Sequence, residues 1–173
     1  MKITRNALFF SAVLLGLTVV AIGHTEQKEQ KQQPNFLNGA SLQNGEKIYM
    51  TGYNTQGRKI PVKWGPHWLY MHGGGCLACH GEKGKGGKYP HMCSVKSPAI
   101  TYKSLFGSGH THGSDTEKGH KEEEHEYTFN GLRKTLEQGI EPDGELLNPC
   151  MPRWKFEDQD FRDLVAYLMF LDQ

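Results

Sequence analysis

The chain changes character sharply along its length. From Ala7 to Ile22 the residues are almost all apolar, preceded by Lys2 and Arg5 and ending at Ala21-Ile22-Gly23. A basic start, an apolar run and small residues at its end have the form of an export signal over 1–23. The run is also nearly long enough to serve as an N-terminal membrane anchor. Either way the rest of the chain is expected outside the cytoplasmic membrane, in the periplasm or on the membrane's outer face. No polar face interrupts the run, which argues against a buried core helix. Residues 24–40 then turn to Gln, Lys and Glu with Pro34 among them, the composition of a polar linker.

Helical spacing begins at Ser41. A cap there, Leu42, Ile48 and Tyr49 on one side, and Gly52 as the stop predict a helix over 41–51. From Tyr53 to Trp64 the period shortens. Asn54-Thr55-Gln56-Gly57 is a turn signal, and Ile60, Val62 and Trp64 alternate with polar residues, which predicts a short hairpin or extended loop kept at an edge by Pro61. Trp68 to Met71 predict a short helix within 66–76. Two more helices follow. One is capped at Thr128, carries Phe129, Leu132 and Leu136 on one face and stops at Gly139; the other is capped at Asp158 and carries Phe161, Leu164, Leu168 and Leu171. The last helix is expected to pack on the 41–51 helix. The pattern as a whole predicts an all-α bundle with long loops.

Composition adds three constraints. A length of 173 residues suits one domain with appendages. A net charge of +1 gives no reason to expect a nucleic-acid partner. Apolar residues make up only 36%, and 21 are glycine, which fits a loop-rich fold wrapped around an apolar cofactor.

The chemistry concentrates at Gly73-Gly74-Gly75-Cys76-Leu77-Ala78-Cys79-His80-Gly81. Cys76, Cys79 and His80 form C-x-x-C-H, the mark of covalent c-type haem attachment. Cysteines three apart on one helical turn face the same way, so both sulfurs can reach the vinyl groups of one porphyrin. His80 then lies beneath the ring, where a nitrogen can bind the iron. A thioredoxin-like site would need a βαβ setting, and zinc would need a second ligand pair; neither is visible. The glycines before Cys76 either let the backbone approach the ring or form a loose joint.

An iron held by His80 can take a second ligand from Asn148-Pro149-Cys150-Met151-Pro152-Arg153-Trp154. Met151 sits in a polar loop stiffened by Pro149 and Pro152, and a thioether there would stabilise ferrous iron. His91 and Met92 are the other candidates. Met71 is on the near side of the motif, and Met169 belongs to a helix. Pro98 is placed to offer its carbonyl to the free nitrogen of His80. Cys93 and Cys150 remain, and in an exported protein a disulfide between them would tie the Met151 loop to the Pro98 loop. A copper site from His91, Met92, Cys93 and Cys150 is the rival use of those sulfurs. His110, His112, His120 and His125, among several acids, are candidate ligands for divalent metal or simply parts of a hydrated loop. Lys83, Lys85 and Lys88 could form a basic rim that steers an acidic redox partner, or an ordinary solvated surface.

Cys76-Leu77-Ala78-Cys79-His80-Gly81, Met151-Pro152 and the closing Val165-Ala166-Tyr167-Leu168 resemble a class I, mono-haem cytochrome c over roughly 41–173. The resemblance implies a cytochrome c-like bundle of three to five helices with crossing terminal helices around one covalent haem c, its thioethers at Cys76 and Cys79 and its iron between His80 and Met151. It departs from that family at inserts over about 53–75 and 107–127. The expected function is single-electron transfer between redox proteins, with no catalytic residues. The alternatives are a haem enzyme with an open or displaceable distal ligand that reduces peroxide, and a metal-handling protein using the histidine-rich loop. An N-terminal anchor would add membrane association.

Overall fold

A computed structural model describes residues 35–107 and 127–173, apart from the side chain of Phe36. The N-terminal signal or anchor, most of the polar linker and the four histidines at 110, 112, 120 and 125 lie outside the described residues. After a 3-10 turn at Asn35–Leu37, the elements run α1 (Leu42–Thr51), β1 (Val62–Lys63), α2 (His67–His72), α3 (Leu77–His80), α4 (Tyr102–Phe106), α5 (Phe129–Gln138), β2 (Arg153–Trp154) and α6 (Asp158–Phe170). The architecture is helical, with one two-stranded ribbon. Where three to five helices are expected, six stand among the described residues, because short turns at α3 and α4 also close helical hydrogen bonds.

The helix boundaries follow local chemistry. Ser41 caps α1 by accepting from the Asn44 amide, Thr101 caps α4 through Ser104, and Thr128 caps α5 through Gly131. Gly52 and Gly139 end α1 and α5 in the left-handed conformation. Two expectations need correction. The cap of α6 is Glu157, without a side-chain bond; Asp158 is the first helical residue, and its carboxylate is drawn outward by Arg133. Leu42 is exposed, and the buried face of α1 reads Asn44, Gly45, Ile48 and Tyr49.

That altered face reflects the crossing of α1 with α6, the most extensive helix pairing among the described residues. Gly45 lies directly on the α6 backbone at Asp163, and a methyl group there would also stand 2.9 Å from Cβ of Tyr167. The close approach lets Ile48 and Tyr49 meet Phe161, Leu164, Val165 and Leu168 in a continuous buried core. Tyr49 and Tyr167 pack as tilted rings with centroids 5.3 Å apart. Beside the apolar contacts runs a polar seam. Asn44 donates to Asp160 (3.0 Å) and Asp163 (2.7 Å), and Asp163 also accepts from the Ser41 amide (2.7 Å).

The expected hairpin over 53–64 is only partly a hairpin. A single bridge pairs Tyr53 with Lys59 around the Asn54–Gly57 turn. Val62 and Lys63 instead pair antiparallel with Trp154 and Arg153, and Pro61 accepts from the Lys155 amide at 2.9 Å. The ribbon therefore joins the first insert to the far end of the chain.

Gly45→Ala is expected to destabilise the fold by at least about 2 kcal/mol, since an α6 backbone atom and not a flexible side chain blocks the added methyl. A lowered midpoint in urea denaturation at unchanged slope would register it; an unchanged midpoint would mean the crossing is looser than described.

Candidate functional site

α3 is a single turn, too short to hold its shape alone. The end of α1 brackets it. Gly75, just before Cys76, packs on the carbonyls of Ile48 and Tyr49, and a Cβ there would stand only 2.5 Å from the Ile48 oxygen. At the other end the Tyr49 hydroxyl donates to the Gly81 carbonyl at 2.5 Å. This explains the glycine in a way neither earlier reading supplied: Gly75 admits another helix's backbone.

His80 is 4% exposed, and its Nδ1 lies 2.8 Å from the Pro98 carbonyl oxygen. An imidazole in that position carries its proton on Nδ1, donates it to the carbonyl, and leaves Nε2 with a free lone pair. Burial lowers the pKa of His80, partly opposed by the Pro98 bond, so the ring stays neutral to lower pH than a free histidine. Pro98 is itself fixed from both sides. Ser97 donates its hydroxyl to the Cys79 carbonyl (2.7 Å), its amide bonds to Lys88 O (2.8 Å), and the Ile100 amide bonds to Gly84 O (2.7 Å).

Cys76 and Cys79 are both partly buried and unbridged. Burial pushes the Cys76 thiol up to about 12 and raises that of Cys79, because it disfavours the charged thiolate. Among the described residues, no group of three or more His, Cys, Asp or Glu side chains could hold a metal ion. A zinc reading of the motif therefore gains nothing.

Cys76, Cys79 and His80 line one cleft with Leu69, Gly75, Met151, Pro152 and Trp154. The other methionines considered for the iron point elsewhere: Met71 is 66% exposed and Met92 75%. His72 and His91 are exposed as well, and Met169 lies on α6. The lining residues come from α2, from 75–80 and from 151–154, while α6 packs on α1. The indole N–H of Trp154 is buried on the cleft wall without an acceptor among the described residues. A wall residue left incomplete in this way fits a cleft whose remaining surroundings come from a bound group.

Cys93 and Cys150 form a disulfide, with Cα atoms 6.0 Å apart and a sequence separation of 57. It places Met151 next to a fixed link to the segment leading to Pro98, and it uses both thiols of the copper alternative. Sequence reasoning gave no role to Trp154, Tyr49 or Arg153. Trp154 alone carried a signal, as a tryptophan three residues after the candidate ligand in a proline-stiffened loop.

Two thiols on one turn, a neutral imidazole with one nitrogen occupied, and a thioether on the same cleft make a donor set that can hold an iron porphyrin by covalent and axial bonds. The family comparison agrees: the cytochrome c family model matches residues 42–172, and the chain belongs to the cytochrome c family. It is a haem-binding electron-transfer protein of a family that binds covalently attached haem c. The family consists in general of electron carriers and not enzymes. No curated protein and no solved structure matches the chain.

The 57-residue separation predicts that Cys93→Ser with Cys150→Ser loses up to about 4 kcal/mol of stability, through the larger freedom of the unfolded chain. Alkylation of the holoprotein without reductant, followed by peptide mass mapping, should leave Cys93 and Cys150 unmodified; alkyl groups on those two residues would show that the link does not form.

Proposed function

We propose that the protein carries single electrons between redox proteins outside the cytoplasmic membrane on one haem c, attached through Cys76 and Cys79, with His80 and Met151 as the axial ligands. The observation that carries this reading is the gathering of His80, tethered to Pro98, and Met151 on the cleft that also holds both cysteine sulfurs. When bound, the haem supplies a metal centre that gains and loses one electron without bond chemistry in a substrate.

The chain's own residues supply orientation and selectivity. Pro98 holds the His80 ring in one tautomer and one rotation, so Nε2 is presented without a search at each cycle. With haem bound, the thioether of Met151 would favour ferrous iron and raise the potential, and as a ligand it would keep peroxide and other small molecules from the iron. Leu69, Pro152 and Trp154 give the site buried walls, which limit water around a charge that changes by one. Export is supported by Lys2, Arg5 and the apolar run after them, and by a disulfide of the kind that persists in oxidising compartments. No helix among the described residues is long and apolar enough to cross a membrane, so attachment to one would rest on the N-terminal segment. The exposed Lys83, Lys85 and Lys88 suit an acidic partner surface.

Purified holoprotein is expected to show one haem by mass and a low-spin spectrum in both oxidation states. In the ferric state the near-red methionine-to-iron band should be present and should vanish in Met151→Ala. A high-spin ferric spectrum in the unsubstituted protein would instead support the peroxide-reducing alternative.

A further inference from the structure

The turn that carries Met151 has few apolar anchors. Asn148, Pro149 and Leu146 are exposed, and Leu147, Cys150 and Met151 are only partly buried. Within the turn the Met151 amide bonds to Asn148 O at 2.9 Å, and the Cys150 amide bonds to Asn148 Oδ1 at 2.9 Å. These local bonds set the shape of the turn but do not fix its distance from the cleft.

Arg153 spans that gap. Its backbone is set in β2 opposite Lys63, and its side chain turns back over the loop. Nη1 donates to the Met151 carbonyl and Nη2 to the Leu147 carbonyl at 2.7 Å, so one planar group joins both ends of the turn. The guanidinium also lies on Gly139, the residue that ends α5, where any Cβ would overlap it. Leu147 is bound to the same place, its amide meeting the Gly139 carbonyl at 2.8 Å. The ribbon, the end of α5 and the Met151 turn thus meet at one side chain.

We infer that Arg153 is the positioning residue for the distal ligand: its guanidinium, bonded to the carbonyls of Leu147 and Met151, holds the Met151 sulfur at the iron against competing ligands. The inference rests on the reading of Met151 as an axial ligand. A lysine cannot replace the fork, because one ammonium cannot meet two carbonyls in a fixed plane.

The test uses full-length ferric holoprotein and titrates imidazole, which binds iron only where methionine has left. Arg153→Met is expected to bind imidazole at least fivefold more tightly than the unsubstituted protein and to lose the near-red band at lower pH. Arg153→Lys should pass the same fivefold threshold, and it decides the question if Arg153→Met does not accumulate. Thr128→Ala serves as the control, since it removes the α5 cap and touches nothing in the turn; its imidazole affinity should match that of the unsubstituted protein. A gain below fivefold in the Arg153 variants, or an equal gain in Thr128→Ala, would overturn the positioning role. Met151→Ala separates the two readings. If the band is lost there while the Arg153 variants behave normally, this inference alone fails; if Met151→Ala keeps the band, the ligand assignment falls and this inference with it.

Discussion

Everything at the site begins with the contact between Gly45 and the backbone of α6. Because α1 can lie against α6 without an intervening side chain, its far end is fixed in space, and that end fixes the haem motif. Ile48 and Tyr49 serve twice. Their side chains fill the core against α6, and their carbonyls receive Gly75. The Tyr49 hydroxyl then holds Gly81 on the other side of α3. A four-residue helix cannot maintain its own geometry, so the orientation of His80 is inherited from the crossing of two longer helices. The core therefore sets the site through α1 and the contacts that α1 makes with Gly75 and Gly81.

The two faces of the cleft are built by different physics. On the His80 side, hydrogen bonds among residues 79–100 hold Pro98 against the imidazole. On the Met151 side, residues 146–151 are exposed or only partly buried. The turn is located instead by a covalent link at Cys150, a guanidinium at Arg153 and a two-residue ribbon. The disulfide and the ribbon reach segments far away in sequence, while Arg153 ties the turn to itself and to the end of α5. Apolar packing at about 25 cal/mol per Å² needs area, and a short polar loop at the surface cannot bury much. Point-like restraints do the same positioning without it.

This difference also explains what could be read from the residues alone. The C-x-x-C-H spacing, the Ser41 and Thr128 caps and the Gly52 and Gly139 stops are local rules, and each stands where its chemistry requires. The stripe of α6 was visible because Phe161, Leu164 and Leu168 repeat at helical spacing and are all buried. The buried face of α1 was misread, since Asn44 and Gly45 look like surface residues until a second helix is known to lie on them. The pairing of β1 with β2 joins positions roughly ninety apart, and two residues carry no periodicity. Arg153 was hidden for a related reason: an arginine's partners here are carbonyls, which every residue has, so no residue type marks them. The helix α4 was missed because only Thr101 announces it.

The polar seam between α1 and α6 also binds the segment that follows α1. Asp160 and Asp163 are 4% and 1% exposed, and a buried carboxylate costs several kcal/mol unless donors surround it. Asp163 draws its donors from Ser41, Asn44 and Gln159. Asp160 takes Asn44 but completes its shell from the insert, with Asn54 Nδ2 at 3.3 Å and Arg58 Nη2 at 2.9 Å. Asn44 returns the link by accepting from the Thr55 amide at 2.7 Å. The turn at 54–58 therefore supports the helix crossing, because without it a carboxylate in the core would be short of a cation and one of its amides. The segment over 54–63 satisfies a buried charge at one end and pairs with the strand after Met151 at the other. It connects the crossing that orients His80 to the ribbon that carries Arg153, so the two faces of the cleft are joined through it as well as through the disulfide.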